Sequence, residues 1–498
     1  NMKDKKLFLN TLSSFSYQII SIICAFILPR CFLVTYGSEV NGLVTSITQF
    51  LGFISLMDLG ISAVVKAALY KPLAEKDKYK IDTIMTSAKK FFNKIRLIFL
   101  LYLIGLCCFY PMYFSGKFDW LYTASLILAM SISLISQYYF GIVNQTLLEA
   151  DQKNYIPIIL QIGTLILNTL CGVVLMMKFD ASIQIVKLTT SIIFLIRPVV
   201  MSIYVRKIYN VKFNCKYSEE PIKQKWNGIA QHLASVVLQN TDVLVLTFFS
   251  SLSSVSIYNV YSLVVLGVRN IVVSLTAGIQ SKFGALIVKE DFQLLNDFYE
   301  KVEWILHSVI TILFTSTAIL IVPFVLVYTE GINDANYNLP WFGILLTISH
   351  MFYCLRLPYS MIVLAAGHFK ETQTSAIVEM LLNILISIVL VKNFSLIGVA
   401  IGTIVAMCYR TIYYVKYISR NILNRSVKYY IKHMMLDGMI FIISFYLCKT
   451  FVLESLSYVS WIFLAIKVVL VVFIVFMFFN MIFYKNHIKN MVLKRGKK

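Results

Sequence analysis

Charge is scarce in this chain of 498 residues: Asp, Glu, Lys and Arg together make up 14%, and only 24 positions are acidic. A soluble globular domain carries roughly 25% charged residues, so that class is excluded. Long polar segments are equally scarce. Apolar residues make up 59% of the chain, about 294 positions, which is enough for fourteen membrane spans of about 21 residues with short loops between them. Nothing is left over for a large soluble domain. Metal-ligand spacing is missing too. None of the nine cysteines belongs to a C-x-x-C or Cys/His pattern, and all but Cys215 lie in apolar runs, where a thiol serves as a small core residue. The first apolar run is too long for a signal peptide and lacks a small-residue cleavage site, so it reads as a span.

Apolar runs of helical length fall at 7–34, 41–69, 95–113, 120–148, 156–177, 182–205, 228–249, 257–287, 302–328, 340–366, 374–391, 396–418, 435–451 and 460–483. Lysine and arginine number 45, giving a net charge of +21, and their placement explains the excess. With the N-terminus in the cytosol, 34 of the 45 fall in cytosolic loops and tails and four in outer loops, which places both ends inside. The positive charge is therefore topological, and a nucleic-acid partner is not expected. Between residues 81 and 95, Ile81, Ile84, Met85, Ala88, Phe91, Phe92 and Ile95 recur at helical spacing among lysines. This pattern predicts an interfacial helix resting on anionic membrane lipids.

An internal repeat is visible. The end of the fourth span, 147–153, resembles the end of the tenth, 363–368; at nearly the same offset Asn168 matches Asn383, and Arg197 matches Arg410. The expected fold is an all-α polytopic membrane protein of fourteen helices. An N-terminal lobe at 1–209 and a second at 210–433 are related by an axis along the membrane normal, and an additional pair with a basic tail fills 434–498.

Seven basic residues lie inside spans: Arg30, Lys187, Arg197, Arg269, Arg356, Arg410 and Lys467. A charge at the bilayer centre costs at least about 2.5 to 3.5 kcal/mol, so each must face a cavity, pair, or reach an interface. Arg269 lies near a midplane, where snorkelling is hard. Asp242 lies at similar depth on the preceding span, either as its neutralising partner or as a coupling-ion carboxylate. Arg356 stands beside Pro358, and Arg30 follows Pro29 near an outer mouth. Arg197 and Arg410 are expected to snorkel to cytosolic headgroups, and Lys187 and Lys467 to anchor at the outer face. The run Gln239, Asn240, Thr241, Asp242 cannot face lipid throughout and is expected to line an aqueous cavity. Asp58, followed by Gly60, and the lone His232, His307 and His350 make a weak case for a proton route. Glu379 is a further intramembrane acid, whereas Glu303 and Asp437 read as interfacial caps.

The sequence FISLMDLGI at 53–61, the polar seventh span through Asp242 with VSIYNVY at 255–261, and the small-residue end of the fourth span resemble the multidrug/oligosaccharidyl-lipid/polysaccharide (MOP) exporter superfamily. Within it the likeness is to the Wzx-type polysaccharide flippases. The resemblance implies a transporter rather than an enzyme, in the bacterial plasma membrane. It implies two lobes alternating around a cationic cavity lined by spans one, two, seven and eight, which carries an undecaprenyl-pyrophosphate-linked oligosaccharide from the inner to the outer leaflet. Arg269, Arg30 and Arg356 would hold the pyrophosphate. Asp242, Asn240, Gln239 and Asp58 would provide polar or coupling groups, with Na⁺, H⁺ or the membrane potential as the drive and no other cofactor. Glycosyltransferases and a polysaccharide polymerase would be its partners. A guanidinium fork suits pyrophosphate oxygens at any working pH. Two alternatives stay open. One is a cation-coupled drug exporter of the same superfamily, though such proteins usually have twelve spans. The other is a membrane glycosyltransferase or polymerase, which usually needs a larger outer loop than the short one at 329–339.

Overall fold

The computed structural model describes residues 2–53, 61–114, 116–137, 141–217, 219, 221–222, 229–276, 279–288 and 292–484. Asp58 lies outside them. Helices make up almost all of this, with no strand among the described residues. The chain divides into two units, Asn1–Val236 and Val237–Lys498.

The first unit contains α1 (Met2–Gly52), α2 (Ile61–Glu75), α3 (Lys78–Tyr113), α4 (Trp120–Ser136), α5 (Ile142–Ala150), α6 (Tyr155–Phe179) and α7 (Ile183–Tyr209). Helix α8 (Ile229–Phe249) crosses the boundary. The second unit holds α9 (Leu252–Leu275), α10 (Ile279–Val288), α11 (Phe292–Tyr328), α12 (Pro340–Leu355), α13 (Leu357–Ala365), α14 (Phe369–Phe394), α15 (Leu396–Asn421), α16 (Lys428–Cys448) and α17 (Tyr458–Phe483). Among the described residues, eleven helices are long and apolar enough to cross a membrane, and two shorter apolar helices accompany them. The fourteen apolar runs and these eleven helices differ at the first two runs, which merge, and at the fourth and seventh, whose described residues form the two shorter helices, Trp120–Ser136 and Ala234–Phe249. The first two runs are joined through Gly37, whose φ of 81° interrupts the helix and suits a residue without Cβ. The tenth run is divided at Arg356 into α12 and α13.

The two halves repeat one helix order. Helix α11 corresponds to α3, α14 to α6 and α15 to α7, and the offset between the members of each pair is nearly constant at both of their ends. In the second unit the tightest pair is α14 with α15. A Cβ on Gly398 would stand 2.6 Å from the Leu390 carbonyl carbon, and one on Gly402 would run into Ser387 Oγ. This small-x-x-x-small stripe lets the two backbones touch. Helices α16 and α17 pack on α11 through Leu320, Cys448, Leu464, Val468 and Val472, and Trp304 Nε1 donates to Asn480 Oδ1 at 3.0 Å.

The expected interfacial helix is the first part of α3, which runs unbroken from its Asp77 cap, where Asp77 Oδ1 accepts from the Lys80 amide at 3.1 Å. Its apolar stripe is not free to rest on lipid, because Ile84, Met85, Ala88, Phe92 and Ile95 are buried inside the protein. The segment after α7 covers part of it: Lys212 N donates to Asp82 Oδ1 at 3.0 Å and Lys89 lies 4.8 Å from the Phe213 ring. Lys78, Lys80, Lys90 and Lys94 remain exposed.

Candidate functional site

Four of the span charges meet in the second unit. Arg356 occupies the break between α12 and α13. Pro358 in the first turn of α13 has no amide to continue the α12 hydrogen-bond ladder. The Arg356 side chain turns inward, where Nη1 donates to Glu379 Oε1 on α14. The other carboxylate oxygen accepts from Arg410 Nη1 on α15 at 2.5 Å, and Arg410 Nη2 donates to Tyr414 Oη at 2.9 Å. All three charges are buried, with relative exposures of 7% for Arg356, 1% for Glu379 and 8% for Arg410. Arg410 therefore does not snorkel. The glycine-mediated approach of α15 to α14 turns its face inward, and Glu379 supplies the counter-charge that a headgroup would have supplied.

Arg269, on α9, joins this cluster through an aromatic ring. Its guanidinium carbon lies 4.8 Å from the centre of Tyr353, and that of Arg356 lies 5.1 Å from the same ring. Two guanidiniums on one ring are in the range of cation–π attraction, yet one carboxylate faces three cations. Among the described residues Arg269 has no ion-pair partner, so the group has an excess of positive charge that an anion would neutralise.

Asp242 is not that partner. Its Oδ2 accepts from Tyr258 Oη at 2.9 Å, and Thr403 Oγ1 lies 3.2 and 3.1 Å from its two oxygens. Asn383 Nδ2 in turn donates to Thr403 Oγ1 at 3.1 Å. The reason is positional. Tyr258 stands about three turns before Arg269 on α9, and α8 places Asp242 at the Tyr258 level. Nearby, Asn383 Oδ1 and Ser387 Oγ are buried with no hydrogen-bond partner among the described residues. A carboxylate with orphaned amide and hydroxyl oxygens suits a hard monovalent cation or a proton, whereas no group of three His, Cys, Asp or Glu suited to a metal ion occurs among the described residues. On the same helix Thr241 is buried, Asn240 is half-buried and Gln239 is exposed. Arg30 is half-buried after Pro29 in α1 of the first unit, and Lys187 packs 4.2 Å from the Phe32 ring.

A second network corrects the reading of Glu303 and Asp437 as caps. Asp437 of α16 takes His307 Nδ1 at 2.6 Å and Thr311 Oγ1 at 2.8 Å. Glu303 takes Tyr359 Oη at 2.7 Å and Arg425 Nη1 at 2.5 Å, and His307 stacks on His433 with ring centres 4.7 Å apart. Closeness to a span end predicts solvent, but α16 covers these residues.

No family model and no curated relative matches the sequence. Solved structures do. The lipid II flippase MurJ, in an inward closed conformation, is similar with a TM-score of 0.72 and 18% identity, over 97% of this chain and 100% of that one. The chain has the MOP-superfamily fold. An inward-facing multidrug resistance MATE family transporter of that superfamily gives a TM-score of 0.64 at 14% identity, over 82% of this chain and 98% of its own. A variant of the Vibrio cholerae MATE transporter VcmN gives 0.57 at 13%, over 84% and 99%. Both MATE structures are nearly consumed by the match while part of this chain stays outside it, whereas MurJ spans almost all of it.

Tyr353, Tyr258 and Thr403 are site residues that the sequence reading missed. Tyr353 lies about one helical turn before Arg356, and that spacing was the available signal. Thr403 had only Gly402 beside it.

Proposed function

We propose that this MOP-fold protein is a flippase that moves an undecaprenyl-pyrophosphate-linked oligosaccharide, a repeat unit of a capsule, O-antigen or related surface polysaccharide, from the inner to the outer leaflet of the bacterial plasma membrane. Fourteen spans, two six-helix lobes and a C-terminal pair, with both ends in the cytosol, complete this reading. The observation that carries it is the unneutralised guanidinium of Arg269, held on Tyr353 beside a cluster already short of negative charge. A pyrophosphate supplies the missing anion, and bidentate contacts to its oxygens are stronger than neutral hydrogen bonds. Arg356 is committed to Glu379 and takes part through the shared Tyr353 ring. Likeness to a lipid II flippase over nearly the whole chain supports a lipid-linked substrate.

Asp242, with Thr403, Asn383 and Ser387, serves the coupling cation in this scheme. The same feature favours a second reading, a cation-coupled drug exporter. Reconstitution in liposomes decides between them. A fluorescent polyprenyl-pyrophosphate glycan placed in one leaflet should become accessible in the other only with protein present. Accumulation of cationic drugs with no glycan movement would favour the exporter, and glycan chain elongation would favour a polymerase.

A further inference from the structure

The repeat leaves one position unfilled. In the second unit, Arg410 of α15 is neutralised by Glu379 of α14. In the first unit the corresponding arginine is Arg197 of α7. The residue of α6 that matches Glu379, by the same offset that relates Asn168 to Asn383, is Thr164. Arg197 Nε donates to Thr164 Oγ1 at 2.5 Å, and its guanidinium carbon lies 4.0 Å from the Phe194 ring. No carboxylate pairs with Arg197 among the described residues. Where the second unit has a buried carboxylate, the first has a cavity of about 240 Å³, lined by Arg197, Gln137, Gln145, Gln161 and Phe194 among others. Gln145 is occupied on both sides, accepting from Gln137 and donating to Glu149, and Glu149 is itself held by Lys66 at 2.9 Å. The Gln161 amide has no partner among the described residues, so it faces the cavity with donors to spare.

We infer that this cavity is an anion site, in which a phosphate group takes the place that Glu379 holds in the repeat. A planar guanidinium fork with primary amides around it matches the non-bridging oxygens of a phosphate. The cavity is smaller than the roughly 300–1,000 Å³ of a drug-sized pocket, so it takes a phosphate headgroup and not a glycan. The site is confined to the first unit and does not depend on which substrate the protein carries. A phospholipid headgroup and free phosphate share this chemistry, and the test separates them.

The experiment measures the thermal unfolding midpoint of the purified full chain in detergent with phosphatidylglycerol, phosphatidylcholine or inorganic phosphate added. A ligand that binds the folded state raises the midpoint. Surface lysines also attract anions, so the informative quantity is the difference between wild type and variants. Phosphatidylglycerol should raise the wild-type midpoint beyond phosphatidylcholine, and Arg197→Gln should lose that increment. If inorganic phosphate reproduces the increment, the ligand is the free anion; if not, it is the lipid headgroup. Thr164→Glu installs the carboxylate of the other repeat. It should raise the midpoint without any ligand and abolish the anion increment, and it keeps the test decisive if Arg197→Gln does not fold. Equal anion responses in wild type and both variants, no wild-type response to either anion, or a Thr164→Glu protein less stable than wild type would each overturn the proposal.

Discussion

Glu379 is shared by Arg356 and Arg410, one guanidinium on each carboxylate oxygen. Because a single acid holds two buried bases, its loss differs in kind from the loss of either arginine. Glu379→Gln leaves both cations buried without compensation, and removing one partner of a buried pair costs about 3 to 5 kcal/mol. Arg410→Gln leaves a neutral Arg356–Glu379 pair and should cost clearly less. Urea or thermal unfolding of the two variants in the same detergent checks the order, and an equal or reversed order contradicts the shared-acid geometry.

Gly402 sets the distance between α14 and α15. In Gly402→Ala the new methyl would run into Ser387 Oγ and would stand 3.0 Å from Ser387 N and 3.2 Å from Asn383 O. Two backbones must part, at a cost of about 1 to 3 kcal/mol, and Thr403 moves away from Asp242 with them. Gly438→Ala is the control, since nothing lies within 4 Å of its would-be Cβ. It should unfold at or slightly above the wild-type temperature.

The long apolar helices were legible because hydropathy acts along the chain. What could not be read depended on neighbours distant in sequence. Glu379 and Arg410 lie on separate helices, and only the Gly398 and Gly402 contact brings them into register. Asp242 and Arg269 share a depth by residue count, which suggested a pair, but Tyr258 and Thr403 hold the acid. Asp437 sits near a span end, yet its depth in the protein comes from His307 and Thr311 on α11. Proline marked the break at Arg356 in advance, whereas Gly37 gave no comparable warning of the joined first helix.

The network under α16 makes the C-terminal pair part of the second unit's core. Asp437→Ala removes the acceptor of both His307 and Thr311 and should lower stability by about 3 kcal/mol. His307→Ala together with Asp437→Ala should cost less than the sum of the single changes, with a coupling of about 0.5 to 3 kcal/mol. Strict additivity in a double-mutant cycle would show that the contact carries no energy.

If Asp242 serves the coupling cation, Asp242→Asn should fold normally while transport loses its dependence on Na⁺ or on a pH gradient, whichever drives the wild type. Since Asp242 and Arg269 are not paired, Asp242→Ala should leave the unfolding midpoint of Arg269→Ala no higher than additivity allows. A clear rescue of stability in the double variant would restore the ion pair that the geometry denies.

Arg269 gives the most direct measurement. Removing an intramembrane charge makes α9 easier to bury, so Arg269→Ala should insert and express as wild type does. In the liposome assay with fluorescent polyprenyl-pyrophosphate glycan it should lose flipping altogether, while Arg269→Lys, which keeps the charge without the bidentate fork, should retain part of it. Flipping at the wild-type rate by well-folded Arg269→Ala would contradict the claim that this guanidinium holds the pyrophosphate.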